Sequence, residues 1–221
     1  MILLLRGHIR KSFEKNDLLD LINTLYLLNN NLDIYIHTWN TYSNSLSWRT
    51  VDVDDRIVTN EIIYNYFGNL QHLIKHIIID NEHDIKLIGK LDGNVCKSAA
   101  PLVGWKKYWY SKYKIISYIS NQPISKNTFI INTRFDVMNN SNNFAREELI
   151  NLVKNNITKK FYKNKFLHDH QFTGIDNFYI GNVKTMFTLA DLFYHHLDII
   201  IQKHKDITCQ EILVFIVNKK I

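Results

Sequence analysis

The apolar residues follow two kinds of pattern, which alternate along the chain. Continuous apolar runs that end in polar residues, "ILLLRGHIR" (2–10) and "LDIYIHTW" (32–39), are typical of strands buried on both faces of a parallel sheet. Between them, "KNDLLDLINTLYLLNNN" (15–31) has apolar residues at helical spacing, with Asn16 or Asp17 as the cap. Strand, helix and strand in direct succession predict a βαβ unit with parallel strands.

The alternation continues to the end of the chain. Segment 60–80 is predicted as a helix that passes into other structure, "DIKLIGK" (84–90) as a short strand, and 101–122 as a helix rich in aromatic residues and lysines. "FIINTRFDV" (129–137) is predicted as the next strand. It precedes a helix (143–156), a strand and long helix within 172–204, and a closing helix or strand (208–219). This order predicts a single-domain α/β fold with a mostly parallel central sheet flanked by helices.

Composition limits the class of protein. The chain has 221 residues, of which 46% are hydrophobic, enough to bury one substantial core. We expect no membrane span, because no apolar run reaches about 18 residues, and no signal peptide, because the apolar start ends at Arg6. Cys96 and Cys209 lie far apart without zinc-type spacing, which favours a reducing compartment. A soluble, cytoplasmic protein is therefore expected, either complete or as one domain of a longer polypeptide.

Three polar clusters follow strands, where the carboxyl ends of parallel strands form ligand sites. They are Arg6-Gly7-His8 with Arg10, then His37-Thr38-Trp39, then Thr133-Arg134-Phe135-Asp136. The net charge of +6 favours a phosphate-bearing or polyanionic partner for such a site. The first cluster is either a phosphate contact, where the glycine lets a ligand approach the backbone, or a turn with solvated arginines. We interpret the histidine of the second cluster as structural, whereas its tryptophan can stack on a planar base.

Arg134 and Asp136 are two positions apart, so on a strand they share a face. A carboxylate there suits Mg²⁺ or Mn²⁺ bridged to a diphosphate, and an arginine beside it can hold phosphate. The alternative is a salt bridge that only orders the loop.

The order of these segments resembles a known family. "LLLRGHIRKSF", "DIYIHTW", "WKKYWYSKYKII", "INTRFDV" and "GIDNFYIGNVKTM" occur in the order found in GT-A nucleotide-sugar glycosyltransferases. They are most similar to the small polysaccharide-type transferases of bacteria and large DNA viruses. The resemblance implies a Rossmann-like GT-A fold. It also places the family's metal-binding Asp-x-Asp motif at Arg134-Phe135-Asp136, with arginine in place of the first acid.

The resemblance also implies roles for individual residues. Asp176, in the acceptor-side loop "TGIDN", is the best catalytic candidate, and Glu211 is a second one. Asp136 and His170 would ligate Mn²⁺ or Mg²⁺. The residues implied at the nucleotide are Arg6, Gly7, His8, Thr38, Trp39, Trp109, Lys112, Tyr113 and Arg134.

The leading hypothesis is therefore metal-assisted transfer of a sugar from a UDP- or GDP-sugar to a saccharide acceptor, without a nucleic-acid partner. The donor, the acceptor, the stereochemistry and the oligomeric state stay open. The alternative is a basic module that binds single-stranded nucleic acid, based on the charge and the lysine-aromatic alternation of "WKKYWYSKYK". A metal-dependent phosphoesterase built on His168, Asp169 and His170 is a third possibility.

Overall fold

The computed structural model describes residues 1–44, 52–139, 145–167 and 176–221. The strands are β1 (Ile2–Arg6), β2 (Asp33–Trp39), β3 (Thr41–Ser43), β4 (Asp54–Ile57), β5 (Ile74–Asp80), β6 (Phe129–Arg134), β7 (Lys165–Phe166) and β8 (Phe178–Asn182). The α-helices are α1 (Asp17–Leu28), α2 (Asn60–Phe67), α3 (Leu102–Ser120), α4 (Arg146–Lys154), α5 (Val183–Lys203) and α6 (Gln210–Lys220). Two 3₁₀ helices cover Ser12–Glu14 and Gly68–Leu73.

Six strands form the central sheet, in the order β5-β2-β1-β6-β8-β7, and β3 pairs with β4 in a separate small sheet. Strands β5, β2, β1 and β6 run parallel, whereas β8 is antiparallel to β6 and β7 to β8. The chain moves outward from β1 through β2 to β5 and then returns to the opposite side of β1 as β6. The strand order thus reverses between β1 and β6, which is the position where open α/β sheets bind ligands.

Two apolar cores cover the two faces of the sheet. The first contains Ile2 and Leu4 of β1 with buried residues of α3, α5 and α6. The second contains Leu3 and Leu5 of the same strand with buried residues of α1, α2 and α4. Successive side chains of a strand point to opposite faces, so the continuous apolar run of β1 supplies both cores.

The structure confirms the α/β class and the mostly parallel sheet, and it corrects one element. Segment 60–80 begins as a helix and passes into other structure, as predicted: α2 ends at Phe67, Gly68 follows with a positive φ of 51°, and the later apolar run forms β5. "DIKLIGK" (84–90) forms no strand. A short apolar run has the same pattern in a buried strand and a buried helix, and only pairing with β2 separates the two. Within the described residues, no helix is long and apolar enough to cross a membrane.

Candidate active site

A cleft opens at the carboxyl ends of the parallel strands, where the strand order reverses. Arg6 ends β1 and Arg134 ends β6, and the two are partners in register across the adjacent strands. The cleft has a cavity volume of about 150 Å³. A cavity of that size holds a ring-sized group. Its walls include these two arginines, Gly7, His8, Arg10, Trp39, Glu82, Trp105, Lys107, Tyr108, Asp176, Asn177 and Glu211.

Arg6 is a buried cation, 2% exposed, held only by uncharged oxygens. Its Nε donates to Asn132 Oδ1 at 3.0 Å, and its Nη2 donates to Tyr108 Oη at 2.9 Å and to the backbone oxygen of Asp176 at 2.6 Å. Its guanidinium carbon also lies 4.2 Å from the centre of the Tyr108 ring. A guanidinium has five N–H donors. These bonds orient the side chain and leave the Nη1 group for a ligand.

Asp136 lies in the turn after β6, where two arginines bind it. Arg134 donates to both carboxylate oxygens at 2.7 Å, and Arg10 Nη1 donates to Oδ2 at 2.7 Å. Burial acts to raise the pKa of Asp136, but the charges and hydrogen bonds of the two arginines outweigh it and hold the pKa below 3.8. Arg134 also donates to Asn177 Oδ1 at 3.2 Å, which ties β6 to the start of β8.

The wall formed by β2 and β5 is a hydrogen-bonded network. His37 is fully buried between Ser111 Oγ at 2.8 Å and Asp80 Oδ2 at 3.1 Å. Burial lowers the pKa of His37 although Asp80 opposes the shift. Trp39 packs on this imidazole, and its ring centre lies 6.0 Å from that of Tyr110. This geometry confirms the structural interpretation of the histidine.

Glu82, just beyond β5, joins the cleft to helix α3. Its carboxylate lies 3.1 Å from His8 Nε2 and 2.9 Å from Lys107 Nζ. Burial opposes ionisation, but the contacts with these two side chains lower the pKa of Glu82 to about 2. The acid therefore stays charged and fixes both side chains at the rim of the cleft.

Two further carboxylates reach the cleft, those of Asp176 and Glu211. The backbone oxygen of Asp176 holds Arg6 and Tyr108, whereas its carboxylate has no hydrogen bond to any described residue. Glu211 lies in the first turn of α6 and accepts a contact from Cys209 Sγ at 3.3 Å. The structure thus brings both predicted catalytic acids to one cleft.

Lys112 lies beneath the cleft in an aromatic cage. It is 2% exposed, and its Nζ has no hydrogen-bond partner among the described residues. The rings of Tyr108, Trp109 and Tyr179 surround the amine at 4.1, 4.1 and 4.6 Å. Burial lowers the pKa of Lys112 well below 10.5, and the charge of Arg6 adds to this effect while that of Asp176 opposes it.

We expect Lys112→Met to stabilise the protein by about 1–3 kcal/mol at neutral pH, because it removes an unsatisfied buried amine and keeps the apolar stem. The unfolded chain binds more protons than the folded one between the folded pKa and 10.5. Wild-type stability therefore rises with pH across that window, and the gain from the substitution shrinks there. Thermal unfolding over a pH series measures both effects. Lys114→Met, at an exposed position of the same helix, is the control, and equal behaviour of the two variants would contradict the expectation.

The nucleotide-binding residues expected from the sequence separate into two groups. Arg6, Gly7, His8, Trp39 and Arg134 line the cleft. Thr38 does not line it, but its Oγ1 donates to the backbone oxygen of Gly7 at 3.0 Å and fixes the turn, in which the glycine has a φ of 89°. Trp109, Lys112 and Tyr113 face the core side of α3 instead. Trp109 packs on Phe193, and Tyr113 packs on Tyr194.

The cleft is lined by a different face of α3 from the one that carries Trp109, Lys112 and Tyr113. Pro101, Gly104, Trp105, Tyr108 and Ser111 line the cleft, and their spacing of three and four residues defines one helix face. The pattern did not single out Tyr108, Lys107, Glu82 or Asn177. For Tyr108, the spacing of three and four residues along α3 was the signal that could have placed it at the cleft. No local signal marks Glu82, whose position depends on the loop after β5.

No family model, curated protein or solved structure matches this chain. The cleft must therefore be interpreted from its own geometry.

Asp136, one of the two ligands that the resemblance implies, does not fit a divalent cation. Both oxygens of Asp136 already accept hydrogen bonds from arginines. No group of three or more His, Cys, Asp or Glu side chains able to hold a metal occurs in the part of the chain that the structure describes. His170, the other predicted ligand, lies outside the described residues, as do His168 and Asp169.

Proposed function

We propose that the protein is a nucleotide-sugar glycosyltransferase of the GT-A type, acting on a UDP- or GDP-sugar and a saccharide acceptor. One observation carries the proposal. At the position where the strand order reverses, Arg6 and Arg134 lie in register, and they line one cleft with Asp176, whose carboxylate has no hydrogen bond to any described residue. The resemblance of the motif order supports the same function.

Sugar transfer needs hydrogen-bond donors at the leaving diphosphate and a carboxylate near the reacting carbon. The bond between the anomeric carbon and the diphosphate oxygen breaks, and the electron pair leaves with the diphosphate, where N–H donors stabilise the added charge. A bond forms between the anomeric carbon and the acceptor hydroxyl oxygen, whose proton passes to a carboxylate in the inverting route. In the retaining route the carboxylate stabilises or attacks the carbon instead. Arg6 and Arg134 supply the donors, and Asp176 supplies the carboxylate.

The structure weakens one of the two features behind the nucleic-acid alternative, the lysine-aromatic alternation, and leaves the net charge of +6 unchanged. Base stacking needs accessible ring faces, but Trp105, Trp109 and Tyr110 of "WKKYWYSKYK" are 7%, 0% and 9% exposed. Their rings pack on other aromatic side chains of the protein. We therefore do not advance that function.

The test is a thermal-shift panel with UDP, GDP and their sugar conjugates. We expect one nucleoside diphosphate to raise the melting temperature, by an amount that grows with ligand concentration because only the folded state binds it. Uridine and guanosine, which lack phosphate, are the controls and should give the smaller shift. No shift with any nucleotide at saturating concentration, together with binding of a single-stranded oligonucleotide, would refute the proposal.

A further inference from the structure

The cleft carries cationic donors in an orientation fixed by the protein. Arg6 uses Nε and Nη2 in three hydrogen bonds, and Arg134 uses three bonds to Asp136 and Asn177. Each guanidinium has five N–H groups, so two on each side chain are not engaged by these bonds. Both side chains line the cleft, and their strands hold them in register.

Asp136, in the turn after β6, cannot serve both a metal and the two arginines that bind it. Arg134 covers both oxygens of Asp136 in the forked geometry of arginine and carboxylate, and Arg10 adds a third bond. A cation at this carboxylate would have to displace charge-assisted hydrogen bonds at 2.7 Å. It would also lie within the field of two guanidinium groups, which repels it.

The buried charge of Arg6 points to an anionic ligand. Its three partners are an amide oxygen, a phenol and a backbone oxygen, none of which carries charge. Arg6 forms no hydrogen bond or direct ion pair with a carboxylate of the described residues, and a buried cation without such a contact is costly. A diphosphate would supply the missing negative charge, and planar forked donors match its oxygens.

We propose that this protein binds the diphosphate of its nucleotide without a divalent cation, through Arg6 and Arg134, which replace the metal at the leaving group. The inference rests on the proposed function, which supplies the nucleotide. Asp136 is then the residue that positions Arg134, and it is not a metal ligand.

Calorimetric titration of the wild-type protein with UDP and GDP tests the inference, in EDTA, in Mn²⁺ and in Mg²⁺. We expect the better nucleotide to bind with dissociation constants that agree within about threefold in all three conditions. Affinity that requires Mn²⁺ or Mg²⁺, by about tenfold or more, would overturn the metal-free site and leave the proposed function standing. Absence of binding in every condition would overturn the proposed function itself.

The Arg134→Lys variant tests the arginine directly. It keeps a positive charge for Asp136 but loses the planar fork, so nucleotide affinity in EDTA should fall by about tenfold or more. Arg56→Lys is the matched control, because Arg56 also binds an aspartate two residues away, Asp54, but on the exposed β4. Equal nucleotide affinity of the two variants in EDTA would overturn the role of Arg134. If Arg134→Lys fails to fold, the wild-type comparison of EDTA with Mn²⁺ decides.

Discussion

Asp176→Asn is expected to lower the rate of sugar transfer by about 10²–10⁴-fold, the range for loss of a positioned acid or base. The fold should survive, because Arg6 and Tyr108 bind the backbone oxygen of this residue and its carboxylate has no hydrogen bond to any described residue. Asparagine keeps the shape of the side chain and removes only the group that accepts the proton or stabilises the carbon.

The measurement is transfer or donor hydrolysis with the sugar nucleotide identified by the thermal-shift panel, alongside calorimetric titration with the nucleoside diphosphate. Rate should fall while nucleotide affinity stays the same, which separates a role in chemistry from a role in binding. Glu211→Gln is the matched control, since it neutralises the other predicted catalytic acid at the cleft. A large loss of rate in Glu211→Gln with none in Asp176→Asn would contradict the role of Asp176 and assign the reaction to Glu211.

Asp136→Ala is expected to destabilise the protein by about 2–4 kcal/mol. Removing one partner of a buried ion pair leaves an uncompensated charge, and the cost falls when the remaining partners reach solvent. Asp136 has a side-chain exposure of 6%, whereas Arg10 and Arg134 have 25% and 22%. The variant leaves the guanidinium groups of Arg10 and Arg134 without their carboxylate. Urea unfolding of the wild type and the variant measures the difference.

The control for this variant is Asp54→Ala. Asp54 also accepts hydrogen bonds from the guanidinium of an arginine two residues later, but this partner, Arg56, has a side-chain exposure of 57%. Exposed ion pairs contribute about 0–1 kcal/mol, so this variant should remain close to wild type. Equal destabilisation by the two substitutions would contradict the importance of burial at Asp136.

Acid provides an independent check on Asp136. Its folded pKa lies below the ordinary value of 3.8 because the two arginines outweigh burial. A depressed pKa contributes stability that is complete above the unfolded value and is lost as pH falls through the folded value. The advantage of the wild type over Asp136→Ala should therefore be constant near neutral pH and diminish below 3.8.

The sequence by itself determined the class of fold and the strand ends at which the cleft lies. The apolar runs of β1, β2 and β6, with helical stripes between them, require strands buried on both faces. The polar residues after these strands follow from the same pattern, so Arg6, Trp39 and Arg134 could be assigned to one edge of the sheet without coordinates. Asp176 at the cleft was expected only from the resemblance of its loop.

Tertiary structure alone decided the features that depend on contacts between distant segments. The run "IKHIIID" became a strand because it pairs with β2, and Glu82 reached the cleft through the loop that follows. Helix α3 has aromatic residues on more than one face, so only its contact with the sheet showed that Tyr108 lies at the cleft and Trp109 in the core. The partners of Asp136 were likewise decided in three dimensions, because the ion pair with Arg10 joins residues 126 positions apart.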